Sequence, residues 1–200
     1  SALSLFGLVP AALVGYRVDD LLASARAMAD RCRVDQADNP GLALGAFMAT
    51  QAAAGRDKLT LLLPPALLGL GGWIEQLVAE STGKNGRGIL PVVGDPRGRC
   101  ADYGTDRAFV TIATPEAPAD LAMARRIEGL GHPVFRIEMT LADLGAEFFR
   151  WEFATAVACA ALGVNPFDEP NVRDAKVRTH NAKHGVLAVS LIGAPGSGKT

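Results

Sequence analysis

Short runs that are apolar throughout alternate along this chain of 200 residues with longer segments in which apolar residues recur at helical spacing. Residues 58–63, 108–113 and 186–192 are such apolar runs, and each is short enough to be a buried strand. A strand that is apolar on both sides has to be covered on both faces, which is typical of parallel sheets. The alternation therefore predicts an α/β fold of three layers, with a mostly parallel sheet between helices.

The same patterns place the remaining elements. Further strands are predicted over 88–93 and 134–137, and helices over 19–33, 41–54, 67–82, 118–130, 141–162 and 169–182. Residues 94–105 form a polar segment with Gly and Pro, and this is the one linker region that we expect inside the chain.

Charge and cysteine content exclude several classes of protein. The net charge is −1 and the charged residues are scattered, so no basic stripe for nucleic acid is present. Cys32, Cys100 and Cys159 are far apart, which predicts neither disulfides nor a metal site and favours a cytoplasmic location; no cofactor is expected. The apolar runs are shorter than the roughly 20 residues that a bilayer span needs, so no membrane passage is expected.

The two chain ends carry little targeting information. The first residues lack a Met and the basic region of a signal peptide, and we expect both ends to be cut from a longer chain.

One polar pair stands out on an otherwise apolar helical segment. Residues 75–84 read Glu-Gln-Leu-Val-Ala-Glu-Ser-Thr-Gly-Lys. Gln76 and Glu80 are four apart, which places them on one helical face just before Gly83, where both side chains could reach one small ligand. Taken alone, such residues are more often the solvated face of the helix.

A resemblance to a known family changes that weighing. Residues 73–84 resemble the Gln-x-x-x-Glu-Ser-x-Gly-Lys segment of phosphoglucose isomerases, which interconvert glucose 6-phosphate and fructose 6-phosphate. In that family the Glu is the base that moves a proton between neighbouring sugar carbons, while polar groups stabilise the enediol between them. The resemblance implies that Glu80 is catalytic and that Gln76 binds substrate.

A second segment is similar to another motif of the same family. Residues 163–176 read Gly-Val-Asn-Pro-Phe-Asp-Glu-Pro-Asn-Val-Arg-Asp-Ala-Lys, against the family pattern Asn-x-Phe-Asp-Gln-x-x-Val-x-x-x-Lys. By this match Lys176 is catalytic near the ring oxygen, and Glu169 is a substrate-binding residue where the family usually has Gln. A carboxylate cannot donate the amide hydrogen bond and brings negative charge to a dianionic substrate, which weakens the case for full activity.

The likeness extends over about residues 1–179. Residues 1–12 and 147–156 also resemble the family, in particular its forms fused to a transaldolase. The resemblance implies that residues 1–183 form the second, flavodoxin-like sugar-isomerase domain. In the family the first domain holds the substrate phosphate, so that half is the expected partner and this chain alone should be nearly inactive. A homodimer is left open, and His132 is expected to be a solvated turn residue rather than the ring-opening histidine.

The last residues carry a different motif. Residues 193–200 read Gly-Ala-Pro-Gly-Ser-Gly-Lys-Thr and match the phosphate-binding P-loop directly after a predicted strand. Residues 184–200 resemble the truncated start of a P-loop GTPase of the nickel-metallochaperone kind, with Gly193, Gly198, Lys199 and Thr200 as the nucleotide-binding residues. Two alternatives therefore stay open: an NTPase fragment with a sugar-phosphate sensor, and a sugar-isomerase module that only binds.

Overall fold

The computed structural model describes residues 2–34, 36, 38–84, 86–95, 100–115, 120–168 and 170–183. The chain divides into two compact units, Ser1–Pro166 and Phe167–Thr200. The first unit holds every strand of the described ranges, and the second contributes one helix, α7 (Pro170–Lys183).

The first unit contains six helices and four strands within the described ranges. The helices are α1 (Leu5–Leu13), α2 (Val18–Cys32), α3 (Pro40–Ala53), α4 (Leu68–Thr82), α5 (Asp120–Gly129) and α6 (Leu144–Leu162). The strands are β1 (Lys58–Leu62), β2 (Leu90–Val92), β3 (Arg107–Ala113) and β4 (Val134–Glu138). Short 3-10 turns at Pro65–Leu67, Cys100–Asp102 and Leu141–Asp143 precede α4, β3 and α6.

The four strands form one parallel sheet in the order β2-β1-β3-β4. Lys58 lies opposite Leu90 on one side and Arg107 on the other, and Phe109 lies opposite Val134. The three-layer α/β prediction is confirmed, because both faces of this sheet are covered by helices.

Alternate residues of the strands face two separate cores. One core joins Leu59 and Leu61 of β1 and Val110 of β3 to side chains of α3, α4 and α6, among them the fully buried Trp151. On the other face Phe109 packs against Ile127 of α5. Burying apolar surface in this way contributes roughly 25 cal/mol per Å², so the two cores are the main source of stability.

The observed elements differ from the predicted ones mainly at their ends. The predicted strand over 88–93 shrinks to β2, because Gly88 has a φ of +153° and Pro91 has no N–H for the ladder. The helix predicted from residue 141 begins as a 3-10 turn with a capping box between Thr140 and Asp143. The predicted strand over 186–192 lies outside the described residues.

Helix α1 was not predicted as an element, and its surroundings are unusual. It has no buried residue, and Leu5, Phe6 and Leu13 are 76%, 88% and 83% exposed. Contiguous apolar surface of this kind marks an interaction surface in soluble proteins.

Candidate functional site

Helix α4 brings two of the predicted site residues together. Its buried stripe, which includes Ile74, Val78 and Thr82, packs against the sheet and turns the opposite face to solvent. On that exposed face the Gln76 Nε2 donates a hydrogen bond of 3.2 Å to the Glu80 Oε1. The spacing of four residues in the sequence thus becomes a direct contact in the structure.

The Glu80 carboxylate accepts the hydrogen bond from Gln76 on the solvent side of α4. It is exposed, and among the described residues no cation forms a salt bridge with it. Its place in the last turn of α4, where the helix dipole is negative, adds nothing to helix stability. The carboxylate is therefore accessible on this face of α4, with Gln76 as its hydrogen-bond donor.

The end of α4 is fixed to the end of α6 by a group of hydrogen bonds that we call the α4–α6 clamp. The buried Lys84 Nζ donates to the Asn165 carbonyl at 2.7 Å, and the Arg87 Nη1 donates to the Leu162 carbonyl at 3.1 Å. The Cys159 thiol donates to the Ser81 carbonyl at 3.5 Å. These bonds anchor the chain immediately after Glu80.

A short hairpin presents the two cations of the clamp. The N–H and carbonyl groups of Lys84 and Arg87 pair with each other at 3.0 Å in both directions, across a turn in which Gly86 has a φ of +72°. The Thr82 hydroxyl accepts the Ile89 N–H at 2.9 Å and donates to the Val78 carbonyl at 2.7 Å. These hydrogen bonds fix the last turn of α4 to the segment that leads into β2.

The other predicted site residues lie in the second compact unit or outside the described residues. Lys176 is an exposed residue of α7, in the second unit. Glu169 and the P-loop residues Gly193, Gly198, Lys199 and Thr200 lie outside the described residues. Their participation in a site stays a prediction.

His132 follows a turn, as expected, but the prediction that it is solvated is wrong. It is half buried, and its ring meets that of Phe109 edge-on at 5.4 Å between centroids. A second edge-on contact joins it to Tyr103 at 6.3 Å. These contacts are those of a packing residue.

A cavity that no sequence pattern predicted lies at the carboxyl ends of β3 and β4. Its volume is about 420 Å³, and polar side chains of Thr114, Glu138 and Asp143 line it. The carboxyl edge of a parallel sheet is where ligands usually bind. In the sequence, polar residues at the ends of the two strands, Thr114 after β3 and Glu138 in β4, could have indicated this cavity. Asp143 is a weaker indication, because its side chain is already bonded in the capping box with Thr140.

Within the described ranges, no three His, Cys, Asp or Glu side chains are grouped as a metal site would need. None of the helices described is both long enough and apolar enough to cross a bilayer.

Two similar curated proteins carry the same name, glucose-6-phosphate isomerase. No protein-family model matches the chain. It is 30% identical to the glucose-6-phosphate isomerase of Rubrobacter xylanophilus, over 90% of this chain and 51% of that protein. It is 28% identical to the enzyme of the same name from Symbiobacterium thermophilum, over 98% of this chain and 51% of that protein. The chain thus spans about half the length of these curated relatives.

Solved structures show the same architecture. A hypothetical protein of Thermus thermophilus aligns with 92% of this chain and 54% of its own, with a TM-score of 0.76 and 21% identity. A glucose-6-phosphate isomerase of Chlamydia trachomatis aligns with 92% of this chain and 46% of its own, with a TM-score of 0.68 and 15% identity. The chain therefore has a sugar-isomerase-like α/β fold, and its sequence is similar to about half of proteins named glucose-6-phosphate isomerase.

Proposed function

We propose that this chain supplies one half of a glucose-6-phosphate isomerase active site. In the proposed reaction the Glu80 carboxylate takes the proton from C2 of open-chain glucose 6-phosphate; the electrons of that C–H bond form the C1=C2 double bond, and the π electrons of the aldehyde move to O1. The hydroxyl proton of O2 passes to O1, C2=O forms, and Glu80 returns its proton to C1, which yields fructose 6-phosphate. Gln76 orients Glu80 through the bond of 3.2 Å, and Lys176 neutralises charge on the sugar oxygens.

One observation carries this proposal. Glu80 is an exposed carboxylate that an amide partner holds and that no described cation neutralises, at the end of a helix that the α4–α6 clamp fixes. General-base chemistry needs such a group, ionised, oriented and within reach of the substrate. The relatives named glucose-6-phosphate isomerase support the choice of reaction.

A second sugar-isomerase half is part of the proposal. The chain matches about half of each relative, and the apolar residues of α1 are exposed without a cover in the described structure. In a full site the first half would hold the phosphate, and that remote binding energy supports the chemical step. The chain alone is then expected to show little or no turnover.

A chimera tests the proposal directly. This sequence would replace the matching half of the Rubrobacter xylanophilus relative, and isomerisation of fructose 6-phosphate would be followed by coupled oxidation of the glucose 6-phosphate formed. Glu80→Gln keeps the shape but removes the base, so kcat should fall by about 10³-fold with little change in KM. The matched control is Glu75→Gln, on the same exposed stretch of α4, which should leave kcat within about twofold.

Two results would contradict the proposal. A Glu80→Gln chimera as active as its parent would exclude Glu80 as the base. Titration of the 200-residue chain with glucose 6-phosphate and with GTP gives the second: binding of the nucleotide alone would favour the NTPase alternative that residues 193–200 suggest.

A further inference from the structure

Lys84 is the most deeply buried cation of the α4–α6 clamp. Its side chain is only 4% exposed, although an ammonium group normally stays in water. Removing such a group from water costs several kcal/mol unless hydrogen bonds replace its hydration. The short bond of 2.7 Å to the Asn165 carbonyl is therefore a specific attachment of the two segments.

The acceptor of this bond occupies a particular place in the chain. Asn165 lies just beyond the end of α6, where Gly163 adopts a left-handed φ of +69° and the helix stops. Pro166 follows, and the segment that contains Glu169 and Lys176 begins there. On the other side of the bond, Lys84 is four residues beyond Glu80 in the sequence.

We propose that Lys84 is a positioning residue, which holds the main chain at Asn165 to the end of the helix that carries Glu80. It would thereby keep the main chain that follows Glu80 in a fixed position. Lys84 acts through Asn165 and does not contact the substrate. This inference rests on the proposed isomerisation for its catalytic consequence, whereas the attachment itself rests on the bond between Lys84 and Asn165.

The first arm of the test is kinetic and uses the chimera described above. Lys84→Met keeps the aliphatic stem and removes the charge, and a displacement of reacting groups by about 1 Å can cost about 100-fold in rate. We expect kcat to fall by about 10- to 100-fold while KM changes by less than about threefold, because the phosphate is held by the other half. Lys84→Arg should recover part of kcat, since a guanidinium also donates to a carbonyl.

Arg87→Gln is the matched control within the same clamp. It removes the bond of 3.1 Å to the Leu162 carbonyl but leaves the attachment of Asn165. Because the attachment of Asn165 remains, its kcat should fall at least about fivefold less than that of Lys84→Met. A fall in kcat as large as that of Lys84→Met would mean that the clamp acts only by supporting the fold, and would overturn the proposal.

The second arm does not depend on turnover and uses hydrogen exchange of the 200-residue chain. Lys84→Met should speed exchange of the amides of residues 163–165 by about tenfold or more, without a matching change in β1 and β3. Unchanged exchange, or an equal rise throughout the sheet, overturns the proposal. Faster local exchange with kcat unchanged in an active chimera also overturns it. Faster local exchange together with an inactive parent chimera would leave the attachment standing and refute the proposed function.

Discussion

The N-terminal part of helix α6 and its C-terminal end differ in how their polar groups find hydrogen-bond partners. At the C-terminal end the carbonyls of Leu162 and Asn165 accept hydrogen bonds from Arg87 and Lys84. In the N-terminal part, Glu147 is 1% exposed and one of its oxygens lies 3.2 Å from the Arg150 guanidinium. Four buried polar atoms of residues 147–155 have no hydrogen-bond partner among the described residues: Glu147 Oε2, Arg150 Nε, Trp151 Nε1 and Thr155 Oγ1.

The two parts of α6 are therefore attached to the rest of the unit by different interactions, hydrogen bonds at one end and close packing at the other. The C-terminal end is held by directional bonds that fix the backbone after Glu80, which suits a site that needs defined geometry. The N-terminal part is held by close backbone approach to α2, where Gly145 lies against the Leu21 carbonyl. A buried polar atom without a hydrogen-bond partner lowers the free energy of unfolding by about 1–3 kcal/mol. In the N-terminal part of α6, close packing against α2 offsets this loss.

The largest expected effect comes from breaking the close approach at the N-terminal part. In Gly145→Ala the added methyl group would overlap the Leu21 carbonyl oxygen and lie 2.6 Å from the Ser24 hydroxyl, so α2 and α6 have to move apart. We expect a loss of about 3 kcal/mol in the free energy of unfolding, measured by urea denaturation.

Gly72→Ala is the matched control, because Gly72 is an exposed helical glycine of α4 with nothing within 4 Å of an added Cβ. Replacing Gly by Ala in an exposed helix should stabilise the chain by about 0.5–1 kcal/mol. Equal effects of the two substitutions would show that α2 and α6 do not rely on close approach.

The second prediction concerns the buried carboxyl of the same part of α6. Burial raises the pKa of Glu147 from its ordinary value of 4.5 to about 7, and the Arg150 guanidinium opposes part of that shift. Above pH 4.5 the unfolded chain therefore binds fewer protons than the folded one, and stability falls as the pH rises towards 7. We expect this group to make the chain on the order of 2 kcal/mol less stable at pH 8 than at pH 5.

Urea denaturation at several pH values checks this contribution. Glu147→Gln cannot ionise, so the fall in stability between pH 5 and pH 8 should become shallower by on the order of 2 kcal/mol. Glu75→Gln, which removes the same charge from an exposed position, controls for the change in net charge. A pH dependence that is the same in Glu147→Gln and the parent chain would mean that Glu147 does not titrate with folding.

Most of the fold follows from local sequence patterns. Strands β1 and β3 were predicted because their apolar runs are unbroken, and the helices α2 to α6 because apolar residues recur at their spacing. Element ends were less predictable, since they depend on single backbone conformations such as that of Gly88. Helix α1 was missed because residues 5–13 include Gly7 and Pro10, two residues that disfavour the interior of a helix.

In the candidate site, contacts within one helix could be predicted from the sequence, whereas contacts between distant segments could not. The contact between Gln76 and Glu80 follows from a spacing of four in one helix, so the sequence is enough to predict it. The bond between Lys84 and Asn165 joins residues 81 positions apart, and only the packing of α4 on α6 brings them together. The roles of Lys176 and Glu169 remain predictions from the resemblance.

The smallest expected effects come from a pair of Thr→Val substitutions, one at the end of α4 and one in the N-terminal part of α6. Thr82 and Thr155 are both buried, at 0% and 2% exposure, and Val has nearly the same shape as Thr. The Thr82 hydroxyl accepts the Ile89 N–H and donates to the Val78 carbonyl, whereas the Thr155 hydroxyl has no partner among the described residues.

Thr82→Val should therefore cost about 1–2 kcal/mol, because it leaves the buried Ile89 N–H without an acceptor. Thr155→Val should be neutral or stabilise by up to about 1 kcal/mol, because it removes a hydroxyl whose burial no hydrogen bond offsets. Urea denaturation of both variants at one pH measures the difference. If Thr155→Val is as harmful as Thr82→Val, the hydroxyl of Thr155 has a hydrogen-bond partner, and the N-terminal part of α6 satisfies its buried polar groups as the end of α4 does.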